Sequence, residues 1–240
     1  FDYPNGFNSA NQFLRYLAYE GAEQRYRKIT SDVKARLEHE LGVIERLGYA
    51  DYFLVVWDLV RFAVTEGVRH AGRGSAADSA VAYCLGISDV DPIAQNLLFE
   101  RFMSLERGEK PDRDIDFDAR RRDEVTDYVY SKYGDEHVAS VATYNTFQGR
   151  SSIRAVGKVM GYSPFEIDSI AKRLPHIPGS MLEYAFESFP ELKDLAIPGK
   201  RLKVLVESAA KIHDFPRHLG THLGGVVISK NPITWLSPLE

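Results

Sequence analysis

Apolar residues recur with a helical period through the first 67 residues, and this pattern predicts three helices over about 10–26, 31–47 and 52–65. Ser9 and Ser31 can cap the first two helices, and Gly48 ends the second. The second helix has the most continuous apolar stripe, which consists of Val33, Leu37, Leu41, Ile44 and Leu47. We expect these apolar faces to pack together as a core.

The pattern changes after Gly67. Residues 68–71 read as a short strand, and a tight Gly-Arg-Gly-Ser loop at 72–75 leads into a predicted helix of small residues over 75–85. Asp91-Pro92 predicts the start of another helix, which would run through 102, because proline is favoured in the first helical turn.

The rest of the chain combines short strands with a long helical stretch. Its predicted elements are a strand over 112–117, a helix over 120–133, a strand over 137–143, helices within 144–221 and a strand over 224–229. An α/β layer over 1–143 therefore precedes a helical insert over 144–221, and the chain then returns to a strand within 222–240.

Composition and charge limit the classes of function. The chain has 240 residues, and its longest apolar stretch contains Asp58, so we expect no membrane-spanning segment. A single cysteine, Cys84, excludes an internal disulfide and fits a reducing cytoplasm. The net charge is −4, but residues 147–217 carry 11 Lys/Arg against 8 Asp/Glu. The chain therefore lacks an overall basic footprint for nucleic acid, whereas a local one can exist in that segment.

Asp112, Asp114 and Asp116 alternate along one predicted strand. Side chains two positions apart share a face, with Cα atoms about 6.6–6.8 Å apart, so Asp112 and Asp114 can flank a pair of divalent cations. Two carboxylate-bound cations assist phosphoryl transfer, and Mg²⁺ suits such an oxygen-rich site. A solvated acidic strand face is the alternative. A calcium loop is excluded, because Phe117 and Asp123 stand where glycine and glutamate are required.

The loop of Gly72, Arg73, Gly74 and Ser75 is the second candidate site. Its glycines let the backbone approach a phosphate, and amides at the start of the following helix favour an anion. Arg73 and Ser75 add donors for phosphate oxygens. A simple turn is the alternative. A P-loop is excluded because no Lys-Ser/Thr pair follows, and a dinucleotide site because no acidic residue ends a strand about 20 positions later.

The order of the two signals points to nucleotidyl transfer. A glycine-serine turn precedes a strand with Asp-x-Asp, so the turn would hold the β- and γ-phosphates and the carboxylates would hold metal ions. Such a site needs a further carboxylate, and residues 218–240 contain a single acid, Glu240.

Four stretches of the sequence form longer motifs. They are Gly72-Arg73-Gly74-Ser75-Ala76-Ala77, Leu98-Phe99-Glu100-Arg101-Phe102, Pro111-Asp112-x-Asp114-x-Asp116-Phe117 and Arg217-His218-Leu219-Gly220-Thr221-His222-Leu223-Gly224-Gly225. Together they resemble the bacterial C-family DNA polymerases, which are the polymerase III α subunits and their error-prone relatives. The stretch 102–107 is more similar to the error-prone branch, and the resemblance covers essentially the whole chain.

This resemblance implies an α/β fold with a polymerase-beta-like nucleotidyltransferase palm and an inserted all-helical thumb. Residues 1–143 would form the first palm segment, 144–221 the thumb, and 222–240 the start of the returning palm segment. The metal ligands that it implies are Asp112 and Asp114, which would bind two Mg²⁺ ions, with Asp116 in support. The residues expected at the nucleotide are Arg73, Gly74, Ser75 and Arg107.

The implied activity is template-directed DNA synthesis in the intact protein, with a role in DNA replication, repair or translesion synthesis. The implied partners are primer–template DNA and deoxynucleoside triphosphates, with a sliding clamp and other replication or repair proteins binding regions outside this chain. The family's third catalytic aspartate and its fingers domain also lie outside it, so we expect this chain alone to be inactive.

A basic stripe within 144–221 is the candidate DNA contact. Arg150, Arg154 and Lys158 follow one another at four-residue spacing, which places them on one helix face suited to phosphates. An ordinary solvated face is the alternative. Two other functional classes stay open: a DNA-binding module without catalysis, and a nucleotidyltransferase that acts on a small substrate.

Overall fold

The computed structural model describes residues 1–105, 114–193 and 199–239. The chain divides into two compact units of mixed helix and strand, Phe1–Asp135 and Glu136–Glu240. Within the described ranges, no helix is both long enough and apolar enough to cross a membrane.

The first unit is a helical layer with a short sheet. Phe53, Leu37 and Leu14 lie at its centre and are fully buried. Its elements are α1 (Ala10–Arg25), α2 (Ser31–Leu47), α3 (Ala50–Thr65), β1 (His70–Gly72), a 3₁₀ helix (Gly74–Asp78), α4 (Ala80–Cys84), a 3₁₀ helix (Phe99–Arg101), β2 (Ile115–Phe117) and α5 (Arg122–Tyr133).

The ends of the first helices follow local chemistry. The Ser9 side chain accepts a hydrogen bond from the Gln12 amide and caps α1, as predicted. Thr30 rather than Ser31 caps α2, through the amide of Val33. Gly48 ends α2 with φ +70°, a left-handed conformation that glycine adopts at low cost.

One helix predicted in the first unit is wrong, and a second is divided. Residues 91–98 form turns instead: the Asp91 carboxylate accepts hydrogen bonds from the amides of Ile93 and Ala94, as at a helix start, but Asn96 has φ +51° and stops the helix after one turn. The predicted helix over 75–85 divides into the 3₁₀ helix and α4. The division falls at Ser79, which caps α4 by accepting from the amide of Ala82.

The second unit consists of helices inserted between two paired strands. Ile153, Leu182 and Leu205 are among its fully buried core residues. Its elements are β3 (Val138–Thr146), α6 (Gly149–Val159), α7 (Pro164–Arg173), a 3₁₀ helix (Gly179–Met181), α8 (Leu182–Ser188), α9 (Pro190–Lys193), α10 (Gly199–Lys211), β4 (Pro216–Ile228) and a 3₁₀ helix (Ile233–Trp235).

β3 and β4 pair antiparallel over almost their whole length. The register runs from Val138 opposite Ile228 to Thr146 opposite Pro216, with irregularities after Ser140 and Asn145. Both strands are longer than predicted, because residues 144–146 and 216–221, which the sequence assigned to the helical insert, pair with each other. The chain therefore enters and leaves the helical insert on neighbouring strands.

Candidate functional site

The short β1–β2 sheet brings the Gly-Arg-Gly-Ser turn to the aspartate strand. The strands pair antiparallel, with Ala71 opposite Asp116 and Gly72 opposite Ile115. At the next position, the Arg73 amide donates a hydrogen bond of 2.9 Å to the carbonyl oxygen of Asp114. The turn is therefore held at Arg73 against the segment that carries the acids.

Two glycines are required by the shape of this turn. A Cβ atom on Gly72 would lie 2.1 Å from the carbonyl oxygen of Ile87, closer than atoms can approach without backbone movement. Gly74 has φ +62°, and open space surrounds the position that its Cβ would take. Gly72 thus allows close backbone packing, whereas Gly74 allows the left-handed bend that leads into the 3₁₀ helix.

The carboxylates of Asp114 and Asp116 differ in their partners. Asp114 is exposed, and its carboxylate has no hydrogen-bond or ion-pair partner within the described residues. Asp116 is also exposed, but its carboxylate forms an ion pair with the guanidinium of Arg73. With respect to the described residues, Asp114 therefore offers unpaired carboxylate oxygens next to the sheet, while Asp116 orients the arginine.

Two residues predicted for the site, Asp112 and Arg107, lie outside the described residues. In the remainder of the chain, no group of three or more His, Cys, Asp or Glu side chains is arranged to hold a metal ion. The exposed carboxylate of Asp114 fits a hard cation such as Mg²⁺, because that ion prefers oxygen ligands and retains open positions for water and phosphate oxygens.

The start of α4 is occupied by an internal carboxylate. Glu40 of α2 is fully buried, and its carboxylate accepts from the amides of Ala80 and Val81 at 2.9 and 3.0 Å. It also accepts from the Ser79 hydroxyl at 2.8 Å. These α4 amides are therefore unavailable to a phosphate, which leaves the exposed Arg73 and Gly74 with the half-buried Ser75 as the candidate anion contact.

A second buried carboxylate anchors the helix that follows the aspartate strand. Asp58 of α3 accepts hydrogen bonds from Lys132 at 2.6 Å and Tyr128 at 2.8 Å, both on α5. Tyr133 also donates to it, and burial raises the pKa of that phenol. Burial alone would lower the pKa of Lys132, but hydrogen bonds to Asp58 and Tyr128 raise it overall. Asp58 thus fixes α5 on α3.

The predicted basic stripe lies on α6, but its members differ in availability. The Arg150 guanidinium donates to the Leu174 carbonyl at 2.8 and 2.6 Å. Arg154 forms an ion pair with Asp168. Hydrogen bonds from Arg154 and Lys172 to this carboxylate lower the pKa of Asp168. Lys158 is exposed and has no partner within the described part of the chain. Of the three, only Lys158 presents a cation without an internal anion or carbonyl.

Comparison with known proteins adds a decisive match. The family model of the bacterial DNA polymerase III alpha NTPase domain matches residues 12–240. The chain belongs to this family. An error-prone DNA polymerase of Symbiobacterium thermophilum is 56% identical over 241 residues, which cover 100% of this chain and 22% of that protein. DNA polymerase III subunit alpha of Bacillus subtilis is 45% identical, again over 100% of this chain and 22% of the relative.

A third relative, an error-prone DNA polymerase of Anaeromyxobacter dehalogenans, is 43% identical over 98% of this chain and 21% of its own length. The resemblance to the bacterial C-family polymerases is therefore confirmed, with relatives from both of its branches. The chain spans about a fifth of the length of these curated relatives.

Sequence reasoning missed the two buried acids that support this NTPase-domain site. Glu40 is followed directly by Leu41 and lies within the apolar stripe of α2, and Asp58 interrupts the most apolar stretch of the chain. A charge on a buried helix face requires a compensating partner. That interruption was the available signal. Apart from Arg36 and Arg61, which are four and three positions from their acids, the partners are 39 to 75 positions away in sequence.

Proposed function

We propose that this chain is the nucleotide-binding and metal-binding part of a bacterial DNA polymerase that adds deoxynucleotides to a primer 3′-hydroxyl under template direction. One observation carries the proposal. The hydrogen bond from the Arg73 amide to the Asp114 carbonyl joins the anion-binding turn to the acidic strand. Donors for phosphate and an acid for a cation thereby lie next to each other, as triphosphate chemistry requires.

The roles of the side chains follow from their charge and position. Asp112 and Asp114 are the proposed ligands of two Mg²⁺ ions, which would neutralise developing charge on the reacting oxygens when bound. Arg73, Gly74 and Ser75, with Arg107, are proposed to bind the β- and γ-phosphates. Asp116 holds the Arg73 guanidinium near the turn before the nucleotide arrives.

The proposal includes a division of the chain into palm and thumb domains. We assign residues 1–143 to a polymerase-beta-like palm, 144–221 to a thumb and 222–240 to the returning palm segment. The helices between β3 and β4 support this assignment, because they form an insert that begins and ends on two strands paired with each other. Arg150, Arg154 and Lys158 are the proposed contacts with the DNA backbone.

The proposal places the protein in the cytoplasm, with primer–template DNA and deoxynucleoside triphosphates as its substrates. Contacts with a sliding clamp would involve other regions of the intact polymerase. Because that polymerase also supplies a third carboxylate and the fingers, we expect the 240-residue chain by itself to extend no primer.

Primer extension by the full-length polymerase tests the proposal. Asp114→Asn keeps the size of the side chain and removes its charge, so we expect kcat to fall by roughly 10²–10³-fold. Asp112→Asn should have a similar effect. Asp123→Asn is the matched control, because Asp123 is exposed in the first turn of α5 and should leave extension unchanged. Near-normal extension by Asp114→Asn would contradict the proposal.

A further inference from the structure

The buried carboxylate of Glu40 has a complete set of hydrogen-bond donors. Besides the Ser79 hydroxyl and the amides of Ala80 and Val81, the Arg36 guanidinium donates to it at 2.6 Å. Four donors around one fully buried carboxylate form a rigid arrangement, because any displacement leaves a charged group without compensation.

Arg36 extends this arrangement to the end of residues 73–78, which are called the Arg73 turn below and include the 3₁₀ helix Gly74–Asp78. The same guanidinium donates at 2.9 Å to the carbonyl of Asp78, the last residue of the 3₁₀ helix, and at 2.9 Å to the carbonyl of Leu97. A lysine could not reproduce this geometry, because one ammonium lacks the planar fork that reaches three acceptors.

The turn is therefore held at both ends. Its first residue, Arg73, is bound to the Asp114 carbonyl, and its last residue, Asp78, is bound to Arg36. Glu40 fixes the position of Ser79 and the first amides of α4 directly after it. Residues 74–77 span the distance between these two anchors, so the placement of Ser75 depends on both of them.

We propose that Arg36 and Glu40 are positioning residues that set the affinity of the site for the triphosphate of the incoming nucleotide. This inference rests on the proposed function. Neither side chain contacts the nucleotide, because Glu40 is fully buried and Arg36 mostly so. They act by holding the Arg73–Asp78 turn in the conformation that binds phosphate, which removes the cost of ordering it when the nucleotide binds.

This role predicts a particular kinetic signature. The β- and γ-phosphates bind the turn in both the ground state and the transition state, so a displaced turn weakens both equally. KM for the nucleotide should rise while kcat stays nearly constant. Loss of Asp114, by contrast, should lower kcat as well as nucleotide affinity, because its proposed role is at the metal ions and the reacting phosphate.

The experiment uses steady-state nucleotide incorporation by the full-length polymerase. Arg36→Lys retains the charge and loses the fork, and Ser79→Ala removes one donor to Glu40, so both are milder than a change of Glu40 itself. We expect each to raise KM for the nucleotide about tenfold with kcat within about twofold of the parent. Glu45→Gln is the control, because Glu45 is exposed on the same helix.

The outcomes separate this inference from the proposed function. A rise in KM alone, with an unchanged active fraction by active-site titration, supports the positioning role. Unchanged KM in both variants overturns it, as does a fall in kcat that follows the loss of folded protein.

If Asp114→Asn is inactive while both variants keep the parent KM, the inference fails and the proposed function stands. If Asp114→Asn is active, the proposed function itself fails.

Discussion

Acidic side chains in the helical layer of the first unit and on its short sheet have opposite environments. Glu40 and Asp58 lie in the helical layer, are fully buried, and each accepts four hydrogen bonds. Asp116 lies on the sheet and Asp114 directly precedes β2. Both are exposed, and among the residues that the structure describes their carboxylates form a single ion pair, from Asp116 to Arg73.

The difference shows how one type of functional group can serve structure or chemistry. A buried carboxylate with a full set of donors cannot exchange them for a ligand without a large desolvation cost. An exposed carboxylate with free oxygens can bind a cation at little cost. We therefore assign structural support to the helical layer and ligand binding to the sheet.

The largest effect is expected for Asp58→Ala, measured as free energy of unfolding. Removal of this acid leaves Lys132 without its buried anion, which costs about 3–5 kcal/mol. Urea denaturation followed by Trp57 fluorescence in a Trp235→Phe background reports on the first unit, because the chain has two tryptophans. Asp127→Ala is the control, since Asp127 is exposed on the same helix as Lys132. A loss below about 1 kcal/mol would show that Asp58 is not a structural anchor.

The next effect concerns Cys84 and alkaline pH. Burial, and secondarily the charge of Glu40, raises the pKa of this thiol to about 12. The unfolded chain ionises first, so above pH 9 the folded state holds the proton and loses stability as pH rises, by about 1.4 kcal/mol per pH unit. Stability curves of the parent and Cys84→Ala should therefore converge or cross between pH 9 and 11. A constant difference between them would contradict a buried neutral thiol.

A smaller effect is expected for Asp116→Asn, which breaks the ion pair with Arg73. Both side chains are largely exposed, so this pair contributes about 0–1 kcal/mol. Nucleotide KM in the full-length polymerase should then change by no more than about fivefold, in contrast to the large loss from Asp114→Asn. An equal loss of activity in the two variants would remove the distinction between ligand and supporting acid.

The smallest effect is expected on the basic face of α6. Lys158→Ala should reduce the salt dependence of primer–template binding by about one phosphate contact. Arg154→Ala should change it less, because Asp168 already neutralises that guanidinium. Binding titrations of the full-length polymerase over a range of salt concentrations measure both slopes. Equal slopes for Arg154→Ala and Lys158→Ala would show that the Asp168 pair opens on DNA.

Local features of the fold could be predicted from the sequence, and features that depend on distant partners could not. The Ser9 cap and the Gly48 helix end depend on neighbours within a few positions. The failure at residues 91–102 has a local cause at Asn96, and a tertiary contact acts there as well, because Tyr26 donates a hydrogen bond to the Asp91 carboxylate that begins the turn. The hydrophobic periodicity of the sequence does not indicate that contact.

The candidate site likewise has one feature that could be predicted from the sequence and one that could not. The proximity of the Arg73 turn and the aspartate strand could be inferred, since both motifs suggested triphosphate chemistry and the β1–β2 register brings them together. The support from Glu40 could not, because its contacts with the amides of Ala80 and Val81 join residues about 40 positions apart in the sequence. Tertiary packing decides whether the amides at a helix start bind an internal carboxylate or remain open to a ligand.

The central claim is that Asp114 and the Arg73 turn bind the same metal–triphosphate complex. A double-mutant cycle tests it most directly, with nucleotide affinity measured on the full-length polymerase and a primer that lacks the 3′-hydroxyl. For Arg73→Ala, Asp114→Asn and the double variant, we predict a coupling of about 0.5–3 kcal/mol in Mg²⁺ that disappears without it. Additive effects, or a coupling that persists without Mg²⁺, would contradict the account.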